Sequence, residues 1–244
     1  MIERAASVAI SIIIPTFNEA HSISQTLDVV DKLRGNIEVI LVDGGSTDDT
    51  IEIASRHREV KIVEGERGRG IQMHAGACVA RGGVLWFLHA DTHPAPDSIE
   101  RITEALSDAE TIGGNFSVHF DGDRRAAAFL TWLYPQLRKL GLLYGDSGIF
   151  VRREVYNEIG GFQSFPIFED LDLVRRLRRR GRIVHLPSTI VTSSRRFENR
   201  SFAWTFTRWA SLQTLYWFGV HPRRLNRLYA PIRRRPDKET RAQS

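Results

Sequence analysis

The chain has 244 residues, of which 42% are hydrophobic and 26% are charged, and this composition is ordinary for a globular protein. Its single cysteine excludes an intrachain disulfide and a metal site built from cysteines alone. The charge is divided unevenly, because residues 1–174 contain 16 basic and 26 acidic side chains, whereas residues 175–244 contain 18 and 3. The basic final third predicts an anionic partner, which could be a lipid headgroup, a phosphorylated substrate or nucleic acid, and a solvated basic surface is the alternative.

Strand and helix patterns alternate through the first half of the chain. Continuous apolar runs that alternate with amphipathic segments are typical of a parallel sheet covered by helices on both faces. We therefore predict an α/β fold with a mostly parallel, Rossmann-like sheet. Its first four strands are expected over residues 8–14, 37–42, 60–63 and 84–90.

The pattern changes after residue 110. GGNFSVHF (113–120) alternates in the manner of an antiparallel strand, and RIVHLP (182–187) predicts another strand. Helices are expected between them, over about 124–140, 152–159 and 171–177. Because no repeat or long linker is visible, we predict one domain in two parts, 8–110 and 111–198, followed by a helical extension over 199–244.

FAWTFTRWASLQTLYWFGV (202–220) is the most aromatic segment of the chain. Arg208, Gln213 and several hydroxyls interrupt it, so a helix that spans a membrane is not expected. Two interpretations remain open. The helix lies in a membrane interface, which its aromatic and basic residues favour, or it packs on the protein's own core or on a partner subunit.

Polar clusters follow three of the predicted strands, at residues 15–19, 43–46 and 89–91. A single carboxylate at a strand end is usually part of a turn, but three clusters at the same edge of one sheet favour a shared pocket. Asn18 and Glu19 are expected at the start of a helix, where amides can contact an anion. Asp43 could accept hydrogen bonds from a base or ribose, and Asp91 is a hard oxygen ligand suited to Mg²⁺ or Mn²⁺.

A second acidic cluster lies in FPIFEDLDLVRRLRRRGR (165–182). Glu169 and Asp170 precede arginines in one predicted helix, and this order suits the helix dipole without any catalytic role. Alternatively, one of the two carboxylates deprotonates an acceptor hydroxyl as it attacks. The glycine-rich segment at 65–76 does not fit a dinucleotide fingerprint, because Met73 stands at the third glycine position.

These segments, taken in order, resemble a known enzyme family. SIIIPTFNE, VDGGSTDDT, FLHADTHP and the downstream FED are similar to the signatures of family 2 glycosyltransferases of the GT-A fold, and the resemblance covers roughly residues 8–185. GRGIQMHAGA and LHADTHP also resemble a bacterial branch that is named after arsenosugar biosynthesis.

The resemblance implies that a sugar moves with inversion from a nucleotide sugar, usually UDP-linked, to an acceptor hydroxyl with the help of Mn²⁺ or Mg²⁺. It implies that Asp170, beside Glu169, is the general base and that Asp91 binds the metal. Gly145 and Asp146 fall on the acceptor side, where Asp146 either binds acceptor hydroxyls or caps a turn. The residues that it assigns to the donor are Pro15, Thr16, Asn18, Glu19, Asp43, Arg69, Ala90, Asp91, Arg195 and Arg196.

The sequence departs from the family pattern at one position. His89 replaces the first carboxylate of the Asp-x-Asp signature, and a packing or hydrogen-bonding role is expected of it because hard cations prefer oxygen. This departure leaves a catalytically inactive nucleotide- or anion-binding module as an alternative. A nucleic-acid-binding protein is a third hypothesis, disfavoured because no recognition motif accompanies the arginines.

The location and partners are expectations of the same kind. No signal-peptide pattern is present at the N-terminus, and we expect a cytoplasmic protein. Residues 199–235 provide a possible contact with the inner face of an anionic membrane. A homo-oligomer is left open.

Overall fold

The structure is a computed structural model that describes residues 9–122, 124–139, 144–193 and 202–228. The strands are β1 Ile10–Thr16, β2 Ile37–Asp43, β3 Val60–Glu64, β4 Val84–Phe87, β5 Thr92–His93, β6 Thr111–Asp121, β7 Phe150–Arg152 and β8 Arg182–Ser193. The helices are α1 Ile23–Val30, α2 Thr50–Ser55, α3 Arg69–Val79, α4 Ser98–Ala105, α5 Arg124–Lys139, α6 Arg153–Glu158, α7 Glu169–Leu177, α8 Phe202–Trp217 and α9 Pro222–Leu228.

One sheet contains all eight strands, in the order β3-β2-β1-β4-β7-β6-β8-β5. β1 to β4 are mutually parallel, β7 runs antiparallel between β4 and β6, and β6 pairs in parallel with β8. The predicted mostly parallel α/β fold is therefore confirmed. The antiparallel prediction for 113–120 is half right, because this strand is antiparallel to β7 and parallel to β8.

Successive side chains of the central strands enter the core on opposite faces of the sheet. Ile12 and Trp86 contribute to one hydrophobic cluster, and their neighbours Ile13 and Phe87 contribute to the other. This explains why β1 and β4 have continuous apolar sequences. Each fully buried large side chain contributes about 1.5–3 kcal/mol to the free energy of unfolding.

Two boundaries next to the polar clusters differ from the predictions. β4 ends at Phe87 rather than at residue 90, and the following chain turns so that the Thr92 amide donates to the His89 carbonyl. α1 begins at Ile23, so Asn18 and Glu19 lie in the preceding loop and not at a helix start as predicted. The Asn18 amide donates to the Ser46 hydroxyl of the β2–α2 loop instead, and the Glu19 amide donates to the hydroxyl of Thr50, the first residue of α2.

The aromatic segment packs on the protein's own core along one side. Leu212 of α8 and Leu225 of α9 join a third hydrophobic cluster with Tyr144, Phe168 and Leu171. No helix within the described ranges is long and apolar enough to cross a membrane. The proposed boundaries at residues 110 and 198 remain predictions. The strands before and after residue 110 belong to the same sheet.

Candidate functional site

The loops that follow β1 and β2 are joined to each other at the carboxyl edge of the sheet. The Asp43 carboxylate accepts hydrogen bonds from the Gly45 and Ser46 amides at 2.9 and 2.8 Å, and the Ser46 hydroxyl accepts from the Asn18 amide at 2.9 Å. The Asn18 side-chain oxygen accepts from the Thr47 amide at 2.8 Å. These bonds hold the two loops in one arrangement, with the Asp43 carboxylate ordering its own turn.

Gln72 of α3 connects the ends of the same two strands. Its side-chain nitrogen donates to the carbonyls of Thr16, at 2.7 Å, and Val42, at 2.8 Å, and its side-chain oxygen accepts from the Gly68 amide at 3.2 Å. The side chain is buried. Gln72 therefore fixes the start of α3 against the edge of the sheet. This role was not predicted, because nothing in the sequence around Gln72 indicates that its side chain connects two strands.

The start of α3 also provides a cation to the acidic pair at the start of α7. The Arg69 guanidinium forms an ion pair with the Glu169 carboxylate, whose side chain is 2% exposed. Gly70 lies against the same glutamate, and a Cβ placed on it would be 3.1 Å from the Glu169 Cβ. A glycine at this position lets the helix start approach Glu169, so that the ion pair forms.

Asp170 lies beside this ion pair and is held by backbone amides. Its carboxylate accepts from the Gly145 amide at 2.6 Å and from the Leu171 amide at 2.8 Å. Burial, together with the neighbouring Glu169 carboxylate, raises the pKa of Asp170 to about 6, although Arg69 and the two amides act in the opposite direction. A carboxylate with this pKa is ionised near neutral pH and is basic enough to accept a proton.

Two non-glycine residues among those described have positive φ, and both lie next to these clusters. Asn18 has φ 55° and Phe168, which precedes Glu169, has φ 61°. A left-handed conformation costs a phenylalanine roughly 1–3 kcal/mol, and such residues persist where the surroundings impose them. Asparagine tolerates this conformation, so the strain is at Phe168, directly before the acidic pair.

His89 and Asp146 form a pair that faces Asp170 across Gly145. His89 Nδ1 lies 3.2 Å from Asp146 Oδ1, and the Tyr134 hydroxyl donates to Asp146 Oδ2 at 2.8 Å. A Cβ placed on Gly145 would lie 3.1 Å from His89 Nε2 and 3.4 Å from Asp170 Oδ2. His89 Nε2 is buried and has no hydrogen-bond partner among the described residues, so a polar atom of a substrate or a water would satisfy it.

Asp91 lies in the turn after β4, partly exposed. The neighbouring Ala90 is buried, and its carbonyl accepts from the Thr26 hydroxyl at 2.8 Å, which fixes this turn against α1. Pro15 and Thr16 are the last two residues of β1, which pairs with β4 through residues 10–13 and 84–87. Glu19 lies further along the same loop and accepts from the Ser22 hydroxyl at 2.9 Å.

The structure thus brings two groups of the predicted site residues to one sheet edge. Asp43, Asn18 and Thr16 belong to the first group, on the loops after β1 and β2. The second group surrounds the start of α7 and consists of Arg69, Glu169, Asp170, Gly145, Asp146 and His89, of which a packing or hydrogen-bonding role was expected. Arg195 and Arg196 lie outside the described residues.

Removing the Arg69 charge is expected to destabilise the fold. Arg69→Met leaves the buried Glu169 carboxylate without its cation, and we expect a loss of roughly 3 kcal/mol in the free energy of unfolding. The double variant Arg69→Met/Glu169→Gln removes both charges and should recover most of this loss. Urea denaturation of the two single variants and the double variant measures the coupling. Strictly additive effects would show that the ion pair contributes no stability.

Comparison with known proteins identifies relatives of this chain. A family model described as "Glycosyl transferase family 2" matches residues 11–160. The chain is 27% identical over 173 residues to glycosyltransferase AglE of Haloferax volcanii, which covers 65% of this chain and 57% of that protein. It is 30% identical over 179 residues to a PGL/p-HBAD biosynthesis glycosyltransferase of Mycobacterium bovis, with 68% of each protein covered.

Solved structures show the same fold. A mannosyltransferase from Pyrobaculum calidifontis, in complex with GDP-Man and Mn²⁺, has a TM-score of 0.66 and 24% identity, covering 84% of this chain and 61% of that one. Residues 1–349 of TarS from S. aureus, in complex with UDP-GlcNAc, have a TM-score of 0.64 and 17% identity, covering 76% and 58%. The match covers 57% of the length of AglE and between 34% and 57% of the length of several other curated glycosyltransferases.

Proposed function

The chain belongs to glycosyltransferase family 2 and has the GT-A fold, and on this premise we propose that it transfers a sugar from a nucleotide sugar to an acceptor hydroxyl with inversion at the anomeric carbon. One observation carries the proposal. Asp170, buried and held by two amides, has its pKa raised to about 6 by burial and by Glu169, and it lies at the carboxyl edge of the sheet, where ligands of α/β folds bind.

We assign the donor to the loops after β1 and β2. Their interlocked hydrogen bonds preorganise Thr16, Asn18 and Asp43 before a ligand arrives, which reduces the entropy lost on binding. The Arg67 guanidinium lies 3.9 Å from the centroid of the Phe17 ring, so a flat cation-bearing surface lies beside these loops. The proposed donor is UDP-linked, and Arg69 is proposed to lie near its diphosphate.

The residues present fit a divalent cation that takes most of its ligands from the donor's phosphate oxygens and from water. No group of three or more His, Cys, Asp or Glu side chains forms a metal site within the described part of the chain. Mg²⁺ and Mn²⁺ sites of this class need one or two carboxylates, and the other ligands are phosphate oxygens and water. Asp91 would supply the carboxylate, and a bound cation would neutralise charge on the departing diphosphate.

In the proposed reaction the acceptor hydroxyl loses its proton to Asp170 as its oxygen bonds to the anomeric carbon. The bond from that carbon to the diphosphate oxygen breaks on the opposite face, so the configuration inverts. The Gly145 and Leu171 amides keep the Asp170 carboxylate oriented, and Arg69 balances the charge of Glu169 beside it. Asp146 and His89 border the same space and are proposed to contact the acceptor.

The activity is expected to depend on pH through Asp170. Only the ionised carboxylate accepts a proton, so kcat/KM should fall about tenfold per pH unit below about 6, the value to which burial and Glu169 raise the Asp170 pKa. An initial-rate profile from pH 4.5 to 8, with stability checked at each pH, measures the inflection. A profile flat down to pH 5 would contradict the role given to Asp170.

The proposal is tested by incubating the protein with radiolabelled nucleotide sugars and measuring the sugar that is released or transferred. Turnover of one donor class, reduced in an Asp170→Asn variant, is the expected result. A protein that binds a nucleotide sugar but turns over none would be a nucleotide-binding module without the enzymatic activity.

A further inference from the structure

Large exposed apolar side chains are concentrated on two helices of the described chain. Four of the six are more than half exposed, with Phe218 reaching 82%. We call this set the apolar face. It consists of Phe129 and Trp132 on α5, Trp204, Leu215 and Trp217 on α8, and Phe218 directly after α8.

α8 has apolar side chains on both of its sides. Trp204, Leu215 and Phe218 are separated by three helical turns and then by one, so they lie along one exposed stripe. The opposite side presents Leu212 and Tyr216 to the third hydrophobic cluster. A helix with one packed side normally exposes polar residues on the other. Apolar exposure on this second side indicates that something covers it.

The charge of the two helices identifies the chemistry of the occupant. α5 contains four basic residues and no acidic ones, and residues 199–236 contain eight arginines and no acidic ones. Arg223 and Arg224, in α9 directly after the apolar stripe, are exposed. Tryptophans with arginines are the composition of protein surfaces that insert at the boundary between acyl chains and anionic headgroups.

We propose that the apolar face binds the surface of an anionic lipid bilayer. A second copy of the chain fits less well, because a two-fold interface through this face would bring the exposed Arg223 and Arg224 of both copies to one interface, and neither α5 nor residues 199–236 contain an acidic residue to pair with them. Nucleic acid also fits less well, since nucleic-acid interfaces are polar and highly charged, whereas the exposed stripe of α8 is apolar and includes the aliphatic Leu215.

Aromatic contacts connect the helices of the apolar face to the proposed acceptor side. Tyr134 of α5 and Trp209 of α8 both contact Tyr144, with ring centroids 5.5 and 5.3 Å apart. Tyr134 also donates its hydroxyl to Asp146. A bilayer bound at the apolar face would therefore lie next to the Gly145–Asp146 turn. We therefore infer that the acceptor hydroxyl belongs to a molecule at the membrane surface, and this step rests on the proposed function.

Co-sedimentation of the full chain with lipid vesicles tests the proposal. We expect binding to phosphatidylcholine vesicles that contain phosphatidylglycerol, weaker binding to pure phosphatidylcholine, and a decrease of binding with added salt. The variant Trp204→Ser/Trp217→Ser/Phe218→Ser should reduce binding at least tenfold, and Arg223→Ser/Arg224→Ser should reduce it less. Arg56→Ser/Arg58→Ser removes two exposed charges near β3, at the other end of the sheet, and should leave binding unchanged.

The variants change exposed side chains, and unaltered melting temperatures would confirm that they fold. Equal vesicle binding by the triple variant and the parent protein would overturn the proposal. The proposal would also be overturned if the parent protein bound no vesicles but formed a dimer, or a complex with single-stranded DNA, and the triple variant abolished that dimer or complex. Donor binding by the triple variant should be normal, so failure of the lipid proposal and failure of the proposed sugar transfer are separate results.

Discussion

Asp170→Asn is expected to abolish sugar transfer and to leave donor binding largely intact. The asparagine keeps the shape of the side chain and can still accept a hydrogen bond from the Gly145 or Leu171 amide, but it cannot take the proton of an acceptor hydroxyl. General bases of this kind typically contribute on the order of 10²–10⁴-fold to the rate. Single-turnover assays, together with titration of the nucleoside diphosphate, separate the two effects.

Stability provides the control for this experiment. Burial of the ionised Asp170 carboxylate disfavours the folded state at neutral pH, whereas the asparagine leaves either the Gly145 or the Leu171 amide without its acceptor. The two effects oppose each other, so the variant should differ little in stability from the parent protein. Asp172→Asn is the matched variant two residues further along α7. It weakens the ion pairs of the buried Asp172 carboxylate with the exposed Arg175 and the mostly buried Arg176, and it should lower stability while transfer persists. Normal transfer by Asp170→Asn would remove Asp170 from the catalytic role.

Asp91→Ala is expected to eliminate the part of donor binding that depends on a divalent cation. The substitution removes the proposed protein carboxylate from the cation, and we expect at least a 10–100-fold loss of affinity for UDP in the presence of Mn²⁺, the range typical of disturbed metal sites. Calorimetric titration of UDP with Mn²⁺ and with a chelator measures the difference. Without the cation, the variant and the parent protein should bind UDP alike.

Asp97 offers a matched control for this measurement. It is an aspartate six residues further along, and its carboxylate accepts from Ser188 and pairs with Arg101 at the start of α4. Asp97→Ala should therefore cost some stability without changing the effect of Mn²⁺ on UDP binding. An unchanged Mn²⁺ effect in Asp91→Ala would exclude Asp91 as the metal ligand.

The sequence predicted those parts of the site that depend on where strands end. Thr16, Asp43 and Asp91 follow apolar runs, and a parallel sheet brings the carboxyl ends of its strands to one edge whatever the details of packing. The pairing of Glu169 and Asp170 at the start of a helix could be predicted in the same way, because acidic residues before arginines are typical of a helix N-terminus.

Contacts between distant side chains could not be predicted. The Gly145 amide reaches Asp170 across 25 residues, and Gln72 reaches the Thr16 carbonyl across 56. Gln72 lies in the quoted GRGIQMHAGA segment and Gly145 was expected on the acceptor side, but no period or spacing in the sequence indicates which groups they contact. The same holds for His89. Its unusual position was visible in the sequence, but its pairing with Asp146 depends on the turn that α7 and β7 hold in place.

The central claim is that the sheet edge binds a nucleotide sugar, and a thermal-shift panel tests it most directly. Nucleoside diphosphates and nucleotide sugars with different bases would be compared with and without Mn²⁺. A ligand at 100 times its dissociation constant stabilises the folded state by about 2.7 kcal/mol. We predict a clear rise in melting temperature for uridine compounds that requires Mn²⁺ and disappears in Asp91→Ala. No shift with any nucleotide, with or without the metal, would contradict the account.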